Sequence, residues 1–474
     1  MDDVTVGYSK TITHEAGIAM REKRDQQLSL FHIMPRNQIG KELEAISKII
    51  DENAGILDLV YRDLIGMANT ETGRTGMTAE QVFRCAILKQ YRNLTYEELA
   101  FHLEDSMSFR AFAKLWTGQK PSASTLQENV KALSEAAWEG ANRMLLEYAR
   151  REGIEKGRTI RLDSTAVETD IHYPTDSSLL VDGVRVITRL LIEGKRCSPT
   201  PVYCFADHRR VVKKRALKIL NSKKESVRTK CYRDLLEIAL RVKGYAIEAI
   251  IILGEFSSPD FLETIRAHGL AEELRQVVET FDKVMDQTRR RVLEGEKVPA
   301  SEKVVSLFET HTDIIEKGNR ETTYGHKLFV VGGDSGLILD CMIERGNPAD
   351  SAMFLPLLDR QQGLYRKSPR QVAADGGFAS QDNLREARTK GISDVSFSKR
   401  RGIPVLEMVK SSWVYKKLRN FRAGIEANIS VLKRAFGLTR CSWSGWAGFK
   451  QYVHSAIVSY NLLTLARLKI AATG

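Results

Sequence analysis

A change of pattern near residue 176 constrains this chain more than any other feature. Arg158-Thr-Ile-Arg-Leu-Asp163-Ser-Thr-Ala-Val167 is rich in β-branched residues and reads as a strand. From about 176 to 300 the pattern is helical, with almost no strand signal. Leu235, Ile238, Ala239 and Val242 form one apolar stripe, and Phe261, Leu262, Ile265, Leu274, Val277, Val278 and Phe281 another. Strand signals return at about 322. The sheet is therefore divided in sequence by a long helical segment.

The later part alternates. Tyr324-Gly-His-Lys-Leu-Phe-Val-Val331 passes through Gly332-Gly-Asp-Ser-Gly336 into Leu337-Ile-Leu-Asp-Cys-Met-Ile343, a hairpin with a glycine-rich turn. A helix is predicted over 351–365, a buried strand over Arg370-Gln-Val-Ala-Ala-Asp375, a helix over 380–390 and a short strand at Val395-Ser-Phe397. The helix bearing Glu426 and a last apolar helix over 445–468 complete the chain.

The first 152 residues read as helical. About 25 polar residues, including Arg21-Glu-Lys-Arg24, suggest a flexible arm. Leu43, Ile46, Ile49 and Ile50 mark an apolar helix face. Thr78-Ala-Glu-Gln81 and Thr95-Tyr-Glu-Glu98 are capping boxes, and Ser124-Thr-Leu-Gln127 is a third, predicted to open a long helix to about Arg150. Short helices joined by tight turns resemble a helix-turn-helix unit that touches DNA, or a plain bundle used for dimerisation.

Lys plus Arg number 72 against 60 acidic residues, a net charge of +12 over 474 residues. Such an excess favours a polyanionic partner. The run 209–230 holds ten Lys or Arg and one Glu, which suits either a solvated helix face or a phosphate-tracking surface. Six scattered cysteines without a Cys-x-x-Cys pair fit a reducing compartment. Cys197, Cys204, His208 and Cys231 match no common zinc spacing. No signal pattern opens the chain and no apolar run approaches ~20 residues, so a soluble protein is expected.

Two places carry chemistry. In Arg422-Ala-Gly-Ile-Glu426-Ala-Asn-Ile-Ser-Val-Leu-Lys433, a helix at about 100° per residue sets Glu426 about 40° and Lys433 about 20° from Arg422. One carboxylate and two cations on one face suit a metal ion beside a phosphodiester, or simply a solvated face with an i,i+4 ion pair. Asp163, in a strand otherwise fit for burial, is costly unless paired or metal-bound; an edge-strand Asp is the plainer alternative.

With the helical segment set aside, the element order is that of an α/β ribonuclease-H-like core, in which acids on the first and fourth strands meet one from a late helix. Asp163, Asp375 and Glu426 hold those places. The sequence resembles the DDE transposases of bacterial insertion sequences. "RLDSTAVETD" is similar to the first-Asp strand, "YGHKLFVVGGDSGLILD" to the hairpin after it and "AADGGFAS" to the second-Asp motif. Arg422, Glu426 and Lys433 fit the Tyr-x2-Arg-x3-Glu-x6-Lys signature of one large branch. Arg419 stands in the tyrosine place. "IHYPTDSSLLVDGVRVITRLL" also resembles a smaller, poorly classified group of insertion sequences.

The resemblance covers roughly residues 70 to 465. It implies Asp163, Asp375 and Glu426 as catalytic residues holding two Mg²⁺ ions, which Mn²⁺ can replace. It implies Arg422, Lys433, Lys327, His326 and Arg419 as DNA contacts. It also implies terminal inverted repeats and target DNA as partners, a homodimer on DNA, no membrane, and a bacterial cytoplasm with nucleoid association. Asp375 follows Asp163 by 212 positions and precedes Glu426 by 51. The extra length is taken as an insertion.

The expected division is an N-terminal arm and helix (1–65), a helical DNA-binding domain (66–152), a catalytic core (153–174 and 316–474) and a helical insertion subdomain (175–315). The rival readings are an inactive or domesticated DNA-binding transposase and another ribonuclease-H-like nuclease.

Overall fold

The computed structural model describes residues 37–66, 76–316 and 322–473. The basic stretch Arg21-Glu-Lys-Arg24 lies outside them.

Seven helices precede the first strand: α1 (Gln38–Glu52), α2 (Gly55–Gly66), α3 (Ala79–Arg92), α4 (Tyr96–Asp105), α5 (Met107–Phe112), α6 (Ala123–Lys131) and α7 (Glu135–Arg151). The two Thr capping boxes form as read: Thr78 with Gln81, and Thr95 with Glu98, each satisfy two amides at a helix start. The third start differs. Ser122, not Ser124, caps α6, and the predicted long helix is broken before α7. Asp63 of α2 accepts the Ser134 amide at 2.7 Å, and the Ser134 hydroxyl then caps α7. The break is thus fixed by a tertiary contact that local pattern does not display.

Strand β1 (Thr159–Glu168) is followed by four helices: α8 (Asp176–Gly194), α9 (Arg209–Asn221), α10 (Glu225–Gly254) and α11 (Phe261–Thr288). They enclose their own core, from Leu179 to Met285. Gly183 of α8 lies so close to Phe281 of α11 that an added Cβ would sit 2.1 Å from its ring, so glycine permits this helix approach. The chain returns through β2 (Asp313–Ile315), a three-residue strand missed in the sequence. Thr169 and Thr312, on the outgoing and returning chain, share a hydrogen bond of 2.8 Å.

The remainder runs β3 (Thr323–Gly332), β4 (Ile338–Glu344), α12 (Asp350–Tyr365), β5 (Gln371–Ala374), α13 (Gln381–Thr389), β6 (Asp394–Phe397), α14 (Val405–Met408), α15 (Ser412–Ala435) and α16 (Gly445–Thr473). The hairpin turn needs its glycine at Gly336, where φ is +87°.

The mixed sheet has β1 at its centre. β3 lies antiparallel on one side of β1, with β4 and β2 along the outer edge of β3; β5 and then β6 lie parallel on the other side. One apolar core runs continuously from Leu43 in α1 through the sheet to Ala466 in α16, so the N-terminal helices and the sheet share it. Every residue of α3 from Ala79 to Tyr91 is buried. Asn461 of α16, fully buried, accepts from the amide of Ile338 at 2.9 Å and donates to its carbonyl at 2.7 Å, which ties α16 to β4. Among the described residues no helix is long and apolar enough to cross a membrane.

Candidate active site

The site begins with strand register. Side chains alternate along β1, so buried Leu162 faces the core and Asp163 the opposite side. Leu162 pairs with Ala374 across the parallel β1–β5 ladder, and the Asp375 amide donates to the Leu162 carbonyl at 3.2 Å. Asp163, midway along β1, and Asp375, just past the end of β5, are therefore neighbours across adjacent parallel strands. Their separation of 212 positions in the chain disappears in the sheet.

Helix α15 packs across β1, β5 and β6. Arg161 fixes its placement: its guanidinium stacks on Phe421 at 4.9 Å and donates to the Phe421 carbonyl at 3.2 Å. A Cβ at Gly424 would lie 1.9 Å from Arg161 Nη1, so only glycine allows that approach. Buried Ile425 faces inward, leaving Arg422 and Glu426 on the side of the two aspartates.

Arg422 is the hub. Nη1 lies 3.3 Å from Asp163 Oδ2 and 3.6 Å from Asp375 Oδ1, and Nη2 lies 2.6 Å from Glu426 Oε1. Three carboxylates from three elements converge on one guanidinium. Their oxygens are not as tightly clustered as those of Glu135, Glu139 and His454, the one trio among the described residues whose ligand atoms all lie within 4.8 Å of one another. That other trio is already engaged: Glu135 pairs with Lys450, and Glu139 with Arg360 at 3.0 Å.

The two aspartates differ electrostatically. Burial pushes the Asp163 carboxyl up to about 6, and the charges of Asp375 and Glu426 add to the rise against the Ser164 amide and Arg422. Burial also acts to raise Asp375. There the Ser398 hydroxyl at 2.8 Å, the Gly376 and Gly377 amides and Arg422 outweigh it, and the carboxyl lies below its ordinary value. Opposing burial, the three carboxylates raise Arg422.

Sequence reasoning missed part of the surroundings. Asp350, the first residue of α12, accepts from Ser164 Oγ at 3.2 Å and from Lys327 Nζ at 3.1 Å. It also lies against Gly377, where a Cβ would be 2.2 Å from Asp350 Oδ2. An Asp in a first helical turn reads locally as a dipole partner, so only the fold brings it beside the aspartates. Ser398, immediately before the basic residues Lys399-Arg-Arg401 that follow β6, gave no signal at all.

The residues expected to touch DNA separate into groups. Arg419 is exposed one turn before Arg422, and Lys433 is partly exposed two turns after Glu426. Lys327 is nearly buried and bound to Asp350 and the Pro348 carbonyl. His326 requires correction, because it is fully buried and has no surface to offer a phosphate. Its Nε2 meets His311 Nδ1 at 2.7 Å and its Nδ1 meets Asp313 at 3.0 Å, with Trp446 and Phe449 edge-on to the ring. Strand alternation turned it inward while its neighbour Lys327 faced the site. Burial holds His326 below its ordinary pKa against the pull of Asp313.

Comparison with known families gives two matches. The family described as Transposase DDE domain matches residues 303–462, and that described as Transposase domain (DUF772) matches residues 30–132. The first range contains Asp375, Arg422 and Glu426. Asp163 and helices α8 to α11 lie in neither. No curated protein and no solved structure matches the chain. Transposase domains at both ends, on a chain whose sheet and late helix gather two aspartates and a glutamate, identify it: the protein belongs to the insertion-sequence DDE transposases.

Proposed function

We propose that this transposase cuts DNA at the ends of its insertion sequence and joins those ends to target DNA, with Asp163, Asp375 and Glu426 as the catalytic acids. The observation that carries the reading is the convergence of all three carboxylates on Arg422. The strand order, with two parallel strands beside an antiparallel hairpin, supports a ribonuclease-H-like core in which those acids work together.

The donor set fits hard divalent cations: only carboxylate oxygens, on separate elements, with a buried aspartate in want of positive charge. Asp163, Asp375 and Glu426 would hold two Mg²⁺ ions, or Mn²⁺ in their place, which supply Lewis acidity toward an attacking water or 3′-OH and the leaving oxygen. The protein's own groups do the rest. Ser398 and the Gly376 and Gly377 amides hold Asp375 ionised and oriented. Asp163 sheds the proton that its burial favours. Arg422, released from the acids, turns its planar fork to the phosphate next to the scissile bond, a geometry suited to bidentate contact. Arg419 and Lys433 extend the cationic face along α15.

In this reading residues 66–152 recognise the terminal repeats, 153–174 with 316–474 perform the chemistry, and 175–315 form an insertion whose exposed basic helix α9 follows phosphates. Two copies bring two ends together on DNA, in a bacterial cytoplasm at the nucleoid. The test is cleavage of a labelled duplex carrying the element's terminal repeat and flank, with and without Mg²⁺. Metal-dependent cutting at the repeat boundary, lost in Asp163→Asn, Asp375→Asn and Glu426→Gln, is expected. Cutting that survives in those variants sinks the assignment.

A further inference from the structure

A second polar site lies at the far end of α15. A groove of about 700 Å³ opens between α3, α4 and α6 on one wall and the end of α15 with the following segment on the other. Lys89 and Lys131 line the first wall; Lys433, Arg434 and Arg440 line the second, and Glu97 stands as an acid among them. Arg440 is engaged by Asp170 at 3.3 Å and by the Ile171 carbonyl, and among the described residues Arg434 reaches the Ser430 carbonyl of its own helix at 3.4 Å.

Lys89 is the telling residue. It is only 6% exposed, yet no carboxylate pairs with it among the described residues. Its ammonium rests over the Tyr96 ring at 4.9 Å, with the Tyr452 ring 6.0 Å away. A buried cation without an anion is costly. Burial accordingly depresses Lys89 to about 8, and Lys131 adds like-charge repulsion. The groove as folded is lined by five cationic side chains against one acid, Glu97.

Helix geometry relates the groove to the acids. Lys433 follows Glu426 by seven residues, about 10 Å along a helix axis. A DNA strand carries one phosphate per roughly 3.4 Å of duplex axis, so that distance spans about three nucleotides.

We propose that this groove binds the phosphodiester backbone of DNA about three nucleotides from the bond held at the three acids, with Lys89 and Lys131 as phosphate contacts from the N-terminal helices. This rests on the reading that those acids act on DNA. One strand then bridges the two parts of the chain that the family matches cover separately. Lys89 gains in the complex the anion it lacks in the free protein.

Two measurements test it on the full-length chain. The first is acetylation of lysine amines, read by mass spectrometry, with and without a short mixed-sequence DNA duplex. Protection of Lys89 and Lys131 by the duplex is expected; unchanged labelling of both overturns the proposal. Equal protection by inorganic phosphate also overturns it, because the groove then takes a free anion, and so does stronger protection by an RNA of equal length. The second is duplex affinity against salt for Lys89→Met with Lys131→Gln, in protein that keeps its thermal transition. Two lost phosphate contacts make the slope of log K against log salt shallower by about 1.8; an unchanged slope rejects the groove. Asp163→Asn separates the two readings, since a protein that cuts without Asp163 but protects Lys89 fails the first and keeps the second.

Discussion

Arg422 Nη1 lies 3.3 Å from Asp163 Oδ2, joining residues 259 positions apart. The same guanidinium reaches Asp375 and Glu426, so one side chain supplies positive charge to all three acids. Arg422 thus acts in the free protein as the resident countercharge of the three proposed catalytic acids.

Arg422→Gln removes that countercharge. The variant is expected to lose about 2 kcal/mol of stability without divalent ions, in the range for hydrogen bonds to charged groups. Mg²⁺ is expected to raise its melting temperature more than that of the parent, because cation binding now relieves the full repulsion. Differential scanning fluorimetry with and without Mg²⁺ measures this. Equal shifts in the two proteins would show that Arg422 does not compensate the acids.

Gly424→Ala places a Cβ against Arg161 Nη1 and forces the guanidinium off the Phe421 carbonyl. A cost of about 1–3 kcal/mol is expected from the crowding, together with slower cleavage as α15 shifts relative to β1. Adding Arg161→Ala removes the clashing group. The double variant should therefore be less destabilised than the sum of the singles, a coupling that urea unfolding can read. Strict additivity would place the constraint elsewhere.

Asp350→Ala leaves Lys327 nearly buried without its carboxylate and removes the acceptor of Ser164 Oγ. Stranding a buried cation costs about 3–5 kcal/mol. Lys327→Met in the same chain removes the stranded charge and should recover most of that stability. Cleavage should recover only if Asp350 acts through Lys327 alone. A cleavage defect that persists in the stable double variant assigns Asp350 a positioning role for Asp163.

Lys89 gives a pH-dependent prediction. Its ordinary value is 10.5 and its folded value about 8. Between these the unfolded chain binds more protons than the folded one, so this group makes the fold more stable as pH rises from about 8 to 10.5; below 8 its penalty is complete. Lys89→Met is therefore expected to be more stable than the parent at pH 7, by about 3 kcal/mol at about 1.36 kcal/mol per pH unit. The advantage should vanish above about pH 10.5. A destabilised variant at pH 7 would show that the cation–π contacts with Tyr96 and Tyr452 outweigh the burial of charge.

The sequence by itself determined what repeats locally. The β-branched run of β1, the apolar run of β3 ending at a glycine-rich turn, helical stripes in α10 and α11 and two Thr capping boxes follow from short-range sterics and hydrogen bonding, so their residue order displays them. Residue pattern also drew attention to Asp163, a carboxylate in a strand fit for burial, and to Arg422 and Glu426 on one helix face, while the resemblance to a known family added Asp375 and the catalytic reading of all three acids. Tertiary structure decided the rest. Parallel pairing of β1 with β5 made two distant aspartates neighbours, and the Arg161–Gly424 approach set α15 above them. The same fold turned His326 into the core, placed Asp350 and Ser398 beside the aspartates and broke the predicted long helix between α6 and α7, where Asp63 takes the Ser134 amide. These outcomes depend on long-range register and packing, in which each partner is separated by tens to hundreds of residues. No local periodicity records such a contact.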